Sequence, residues 1–363
     1  MKKQCRERDA KCQIRGIRIF FFLVVSFLTI HDPLSVVSAE EIPSRAALVM
    51  EESTGRVLFG KNPNLRQPPA STTKLMTAMV VLDRLDVQTV VTISERAANI
   101  SPIKANFRAG EKVTVKTLLY AALVRSANDA ACALSEAVTD SEEGFAGLMN
   151  QKALALGMTD TRFINPTGLP GGEQYTTVYD LARMMRNALR YPLIKEILNT
   201  RVSYLMTENG RAFRLKNINK LLWEDDAVVG GKTGYTREAK HCFVCAGQQD
   251  NELVIVAVLG APSRELLWRE SEELLGKGFS VRNSQEEPVI YFTRSDYNVS
   301  VRKAAYHTDS PLGKSVPHRK IAKKSRRRIK GNKSRARTNT YVEKTDKYQE
   351  SWYQPAGEDG FNG

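Results

Sequence analysis

The sequence predicts a mixed α/β domain of the α+β kind, an antiparallel sheet flanked by helices and joined to a helical subdomain. Three observations predict it. Strand-like apolar runs stand at both ends of the globular part, over 46–59 and 227–259. Helical runs fill the middle, over 114–189, and a long amphipathic helix closes the far end at 263–277. A sheet lobe assembled from both ends of the segment, with a helical insertion and the cleft between them, satisfies all three.

The 363 residues carry a formal charge of +14, placed unevenly. Residues 1–39 hold 7 basic and 3 acidic side chains, residues 301–363 hold 16 and 6, and the middle, 40–300, holds 31 of each. The high pI therefore belongs to the ends and says nothing about the substrate of the folded part. Residues 1–39 read as an export signal: a basic n-region from Lys2 to Arg18, an apolar core from Ile19 to Ile30, and Val37-Ser38-Ala39 before Glu40. Cleavage after Ala39 is expected, since a membrane span needs about 20 apolar residues and this run stops at His31-Asp32-Pro33; the alternative is an uncleaved anchor. Either way the globular part lies outside the cytoplasm, in the periplasm or on the outer face of the envelope. Domain boundaries follow: a signal at 1–39, the folded domain at 40–285, then 286–363, a short strand (Val289–Phe292) and a basic, disordered tail.

In order, Arg45–Met50 and Arg56–Phe59 predict a hairpin around the turn chemistry of Glu51–Gly55. Pro68-Pro69 ends a polar loop, and Ser71, a good N-cap residue, opens an apolar helix over 75–82. Val90–Ile93 is a short strand followed by polar turns to Gly110. Helices are expected at Thr114–Val124, Asp129–Val138, Phe145–Leu156 (closed by Gly157) and from Thr177 to about Leu189, with a long turn-rich loop at Phe163–Gly172. Strands resume at Val202, and Ala227–Tyr235 runs into a strand pair over 242–259 before the final helix, Ser263–Lys277. Cys242 and Cys245 lie on one of those strands. Residues three apart on a strand point to opposite faces, so the pair suits neither a disulfide nor chelation, and both read as core. No metal or other cofactor is expected.

Chemistry concentrates at Ser71-Thr72-Thr73-Lys74. Residues three apart on a helix share a face, so the Lys74 amine can reach the Ser71 hydroxyl and activate it as a nucleophile. Ser-x-x-Lys alone carries little weight, and the chain has two more, at Ser101 and Ser300. The weight comes from order and context: Ser126-Ala127-Asn128 follows on a tight link between two helices, and Lys232-Thr233-Gly234 lies on a strand. His241 is the one histidine of the globular part and sits on a strand, so serine chemistry here must use lysine.

With these elements, the chain resembles the serine-type D-alanyl-D-alanine carboxypeptidases, low-molecular-mass penicillin-binding proteins of the peptidase S11 type. The resemblance covers roughly residues 43–280 and extends to Val49-Met50-Glu51, Pro69-Ala70, Leu156-Gly157-Met158, Phe163–Leu169 and Tyr235-Thr236. It implies a β-lactamase/transpeptidase-like fold and a peptidoglycan stem pentapeptide as substrate, with β-lactams as covalent inhibitors. Ser71 is then the nucleophile, Lys74 the base and Ser126 the proton relay to the departing D-alanine. Asn128, Lys232, Thr233, Gly234 and Tyr235 bind substrate, the Tyr235 N–H joining that of Ser71 around the oxyanion. Gln174 stands where such proteins often have His, and Lys240 where they often have Gly, departures that bear on substrate preference. A D,D-endopeptidase is the first alternative, and a class A-type β-lactamase the second, which would need a deacylating glutamate soon after Ser126-Ala127-Asn128, where the nearest look-alike, Glu196, is wrongly spaced. The basic tail reads as a solvated extension, or as a segment that clings to anionic wall polymers or lipid headgroups. Nucleic acid is a poor partner for an exported chain.

Overall fold

The computed structural model describes residues 42–284 and 287–293. The expected export signal and the basic tail lie outside the described residues. Among the described residues no helix is long and apolar enough to cross a membrane.

The chain opens with the expected hairpin, β1 (Ala46–Glu51) and β2 (Val57–Lys61). A 3-10 turn over Ala70–Thr73 leads into α1 (Lys74–Leu82), which is buried from Lys74 to Val81. A helix apolar all round belongs at the centre of a helical lobe, and α1 packs against α3 (Val115–Val124), α4 (Asn128–Val138), α5 (Glu142–Ala155) and α6 (Val178–Ala188). β3 (Val90–Thr92) and β4 (Lys112–Thr114) form a small antiparallel ribbon beside it. Between them α2 (Glu95–Asn99) occupies part of the stretch expected as polar turns. One turn is too short to show periodicity, but its cap is there to see: the Ser94 hydroxyl accepts from Ala97 N at 2.9 Å.

α5 begins three residues before its first buried apolar residue, because Ser141 caps it by accepting from Gly144 N at 3.0 Å. α7 (Pro192–Asn199) starts on a proline at its first turn, a position where the missing N–H is no loss, and precedes a second hairpin, β5 (Val202–Met206) with β6 (Ala212–Lys216). After the short α8 (Leu221–Glu224) come the three long strands β7 (Val228–Thr236), β8 (Lys240–Gln249) and β9 (Glu252–Ala261), then α9 (Arg264–Ser284), longer than the apolar pattern at 263–277 indicated. β10 (Val289–Tyr291) closes the series.

The six-stranded sheet has the order β10-β2-β1-β9-β8-β7, antiparallel except for β10 on β2. β1 pairs with β9 from Ala46↔Leu259 to Glu51↔Val254, so the two ends of the domain lie side by side and the helices between them form the insertion that the sequence implies. Alternation divides the apolar side chains into two cores. Leu48, Cys242, Val244, Ile255 and Ala257 face the helical lobe, while Val49, Phe243, Cys245, Val254 and Val256 face α9. Cys242 and Cys245 thus lie on opposite faces as free, buried thiols, and burial pushes the Cys242 thiol up to about 12. β7 is the edge strand on the side of the helical insertion, and that edge forms one wall of the cleft.

Candidate active site

Ser71 does not cap a helix, contrary to the reading from sequence. It sits inside the 3-10 turn, with no side-chain cap bond at either Pro69 or Thr73. The turn is tight because Ala70 takes φ 48° and because the loop after α5 presses on it: a Cβ on Gly168 would lie 1.8 Å from the Ala70 carbonyl oxygen. The consequence is chemical, since a hydroxyl not spent on a cap is available to Lys74.

Lys74 is fully buried, and its Nζ lies 3.0 Å from Ser71 Oγ and 2.7 Å from both Asn128 Oδ1 and the Thr167 carbonyl oxygen, all within hydrogen-bond distance. Two of these partners are carbonyl oxygens, which can only accept. A neutral amine has two hydrogens and one lone pair, so the hydrogens must go to Asn128 and Thr167. The lone pair is then left to Ser71, the partner able to donate. Burial, followed by the Lys232 cation, holds the Lys74 amine well below the usual lysine range, with Asp129 opposing. The environment thus favours the neutral form and aims it.

Across the cleft, Lys232 on β7 is also buried and donates to Ser126 Oγ at 2.8 Å and to the Thr233 carbonyl at 2.9 Å. Burial pushes it down to about 7. Ser126 stands on the link between α3 and α4 at φ 64°, a strained position for a non-glycine residue. Asn128 opens α4, and its amide nitrogen donates to the Pro102 carbonyl while its backbone N–H donates to Ile103 O at 2.8 Å. That bond occupies one of the donors that the sequence reading offered to substrate.

Gly234 lies hard against the nucleophile, for a Cβ there would be 2.8 Å from the Ser71 backbone nitrogen. Only bare backbone fits, so the strand can approach the reacting atoms. Thr233 is half-buried beside it, and Tyr235 is exposed at the mouth with its ring 4.5 Å from that of His241. Ser71, Lys74, Ser126, Asn128, Lys232, Thr233, Gly234 and Tyr235 therefore fall in one cleft between the sheet edge and the helical lobe. Glu196 lies on α7 with its carboxylate accepting from the Tyr120 hydroxyl at 2.5 Å. Lys240 adopts φ 58°, the left-handed conformation that a glycine would take without strain.

Three contributors escaped the sequence reading. Thr167 acts through its carbonyl, which no side-chain pattern reveals. Asn165 folds the loop that presents it, its Oδ1 accepting from Thr167 N, Thr167 Oγ1 and Gly168 N at 3.1, 3.0 and 2.7 Å. The turn chemistry of Asn165-Pro166 and the family resemblance across Phe163–Leu169 pointed to this loop without giving it a role. Asp129 accepts from Ala105 N, Phe107 N and Ala130 N at 3.0, 3.2 and 2.9 Å, tying the 101–107 loop to the base of α4.

Residues 34–263 match the family described as D-alanyl-D-alanine carboxypeptidase, Peptidase S11. The chain is similar to the D-alanyl-D-alanine carboxypeptidase DacF of Bacillus subtilis, 36% identical over 265 residues that span 72% of this chain and 68% of that protein. It is similar to a D-alanyl-D-alanine endopeptidase of Pseudomonas aeruginosa at 36% identity over 230 residues, 61% of this chain and 73% of that one. Among solved structures, the Streptomyces K15 DD-transpeptidase superposes with a TM-score of 0.64 at 30% identity, covering 66% of this chain and 98% of its own.

Proposed function

The chain belongs to the D-alanyl-D-alanine carboxypeptidase family, peptidase S11, and from that premise we propose that it removes the terminal D-alanine from peptidoglycan stem pentapeptides. The observation that carries the reading is the Lys74 amine, 3.0 Å from Ser71 Oγ and fixed by two obligate acceptors. Ser71 Oγ attacks the carbonyl between the two D-alanines as Lys74 takes its proton. The oxyanion is received by the Ser71 and Tyr235 backbone N–H groups, a contribution of about 3 kcal/mol per donor. As the C–N bond breaks, Ser126 relays to the departing amine the proton that Lys74 took from Ser71, which returns Lys74 to its neutral form. Lys232 holds the Ser126 hydroxyl in place and keeps its charge. Lys232 and Thr233 hold the terminal carboxylate. Water, deprotonated by Lys74, then attacks the acyl-Ser71 ester and frees the tetrapeptide. A β-lactam carbonyl takes the same path as far as the acyl-enzyme. A substrate in the envelope agrees with the export signal read in residues 1–39.

Relatives of equal identity bear carboxypeptidase and endopeptidase names, so cleavage of D,D-crosslinks is the second reading. Incubation with a pentapeptide stem and with purified crosslinked muropeptides, followed by mass spectrometry, separates them. Loss of one alanine from the pentapeptide, absent in Ser71→Ala, is the expected result. Crosslink cleavage without that loss transfers the assignment to endopeptidase, and a penicillin adduct on any residue other than Ser71 sinks both.

The two lysines predict the pH profile. On the acid side kcat/KM rises with pH as Lys74 loses its proton, and it falls above about 7 as Lys232 loses the charge that its role requires. Lys232→Arg should lift the alkaline limb, since guanidinium stays charged. A limb that stays in place in that variant assigns the titration to another group.

A further inference from the structure

The direction of one amide decides whether the Lys74 amine can act on Ser71. Asn128 turns its Oδ1 to the Lys74 amine and its amide nitrogen to the Pro102 carbonyl. Were that amide turned over, its N–H would point at the Lys74 lone pair. The two amine hydrogens would then go to the Thr167 carbonyl and to Ser71 Oγ. Lys74 would donate to the hydroxyl whose proton it has to accept. The Pro102 carbonyl opposes this, because in the turned amide Asn128 Oδ1 would face another acceptor and a buried bond would be lost.

Pro102 belongs to a loop that does not keep its shape unaided. Ile103 and Asn106 take φ 59° and 62°, left-handed conformations that are strained outside glycine and most of all for a β-branched residue. From the inside, Asn128 N donates to Ile103 O at 2.8 Å, and Asp129 accepts from Ala105 N and Phe107 N at 3.0 and 3.2 Å. From the outside, the tip of the β5–β6 hairpin closes on the same segment. Arg211 forks onto the buried Glu111 at 2.7 and 2.6 Å and donates to the Asn106 carbonyl at 3.1 Å. Glu111 in turn accepts from Arg108 N at 2.9 Å. Two further bonds seat the hairpin tip on β4: Glu208 N donates to Lys112 O at 2.9 Å, and Lys112 N to Asn209 Oδ1 at 3.0 Å.

We propose that Arg211 is a positioning residue of the reaction: by latching the 101–107 loop against α4, it keeps the Asn128 amide turned so that the Lys74 lone pair stays on Ser71. The proposal rests on Lys74 as the base in the peptidase reading above. Arg211 bonds none of the reacting groups, so the effect of its removal has to travel through the loop.

A double-mutant cycle on the full chain tests this, with acylation by a fluorescent penicillin as the readout. Arg211→Ala should slow the acylation step about tenfold, while the dissociation constant of the preceding noncovalent complex stays within about twofold. In an Asn128→Ala background no amide is left to turn, so the same Arg211→Ala change should cost less than about twofold. Equal losses in the two backgrounds mean that Arg211 acts on the fold at large, and they overturn the proposal. Acylation of Arg211→Ala at the parental rate overturns it too. That variant leaves the Glu111 carboxylate buried without its cation; should it fail to fold, Arg211→Ala/Glu111→Gln strands no charge and completes the same cycle. A parent that takes up no penicillin at Ser71 removes the peptidase reading and this one with it, whereas an acylated parent with an additive cycle removes this one alone.

Discussion

Lys74→Ala slows acylation of Ser71 by a fluorescent penicillin about a thousandfold or more. General bases contribute typically 10²–10⁴ in rate, and among the described residues the cleft offers no second base of suitable geometry. Lys232 hydrogen-bonds Ser126, and His241 stacks on Tyr235. Lys74→Arg should be equally slow although it keeps the positive charge, because a guanidinium does not yield its proton at neutral pH. That pair of variants separates proton abstraction from electrostatic binding. Lys74→Ala also strands Asn128 Oδ1 and the Thr167 carbonyl, at about 1–3 kcal/mol for each buried acceptor left unmet. Thermal melts should therefore accompany the kinetics. Acylation within tenfold of the parent rate by a folded Lys74→Ala protein would remove Lys74 from the reaction.

Gly168→Ala is expected to destabilise the fold by more than about 3 kcal/mol and to abolish acylation with it. Gly168 has φ 80°, and its missing Cβ is the space the Ala70 carbonyl occupies, with Thr73 Oγ1 at 2.9 Å behind. Relief requires the loop to withdraw, and the loop carries the Thr167 carbonyl that holds Lys74. Gly110 supplies the control. Its φ is 77°, but nothing lies within 4 Å of a Cβ there, so Gly110→Ala should lose only about 1–2 kcal/mol from backbone strain. Urea unfolding of both variants isolates the clash from the conformation. Equal losses would mean that the loop yields easily and that Gly168 matters for its backbone angle alone.

The elements that were readable in advance share a property: their determinants are local. The alternation through Cys242–Cys245 and Ile255–Val258 is written residue by residue, so the strand pair and the separation of the two thiols could be read directly. Thr114 and Thr177 cap their helices through bonds to Thr117 N at 3.2 Å and Asp180 N at 3.1 Å, within one turn of chain. The Ser71–Lys74 contact also spans three residues. By contrast, the 3-10 turn that frees the Ser71 hydroxyl is imposed by Gly168, nearly a hundred residues away, and nothing near Ser71 announces it.

The sequence by itself determined which side chains could do chemistry here, the two-ended sheet with its helical insertion, and the need for an amine where serine enzymes often use an imidazole. Tertiary structure decided whether that amine could act. A lysine is a base near neutrality when it is taken out of water, set near a second cation and given acceptors that leave one lone pair facing the hydroxyl. Burial, charge proximity and the direction of a backbone carbonyl are properties of segments brought together in space, so they exist only once the chain has folded.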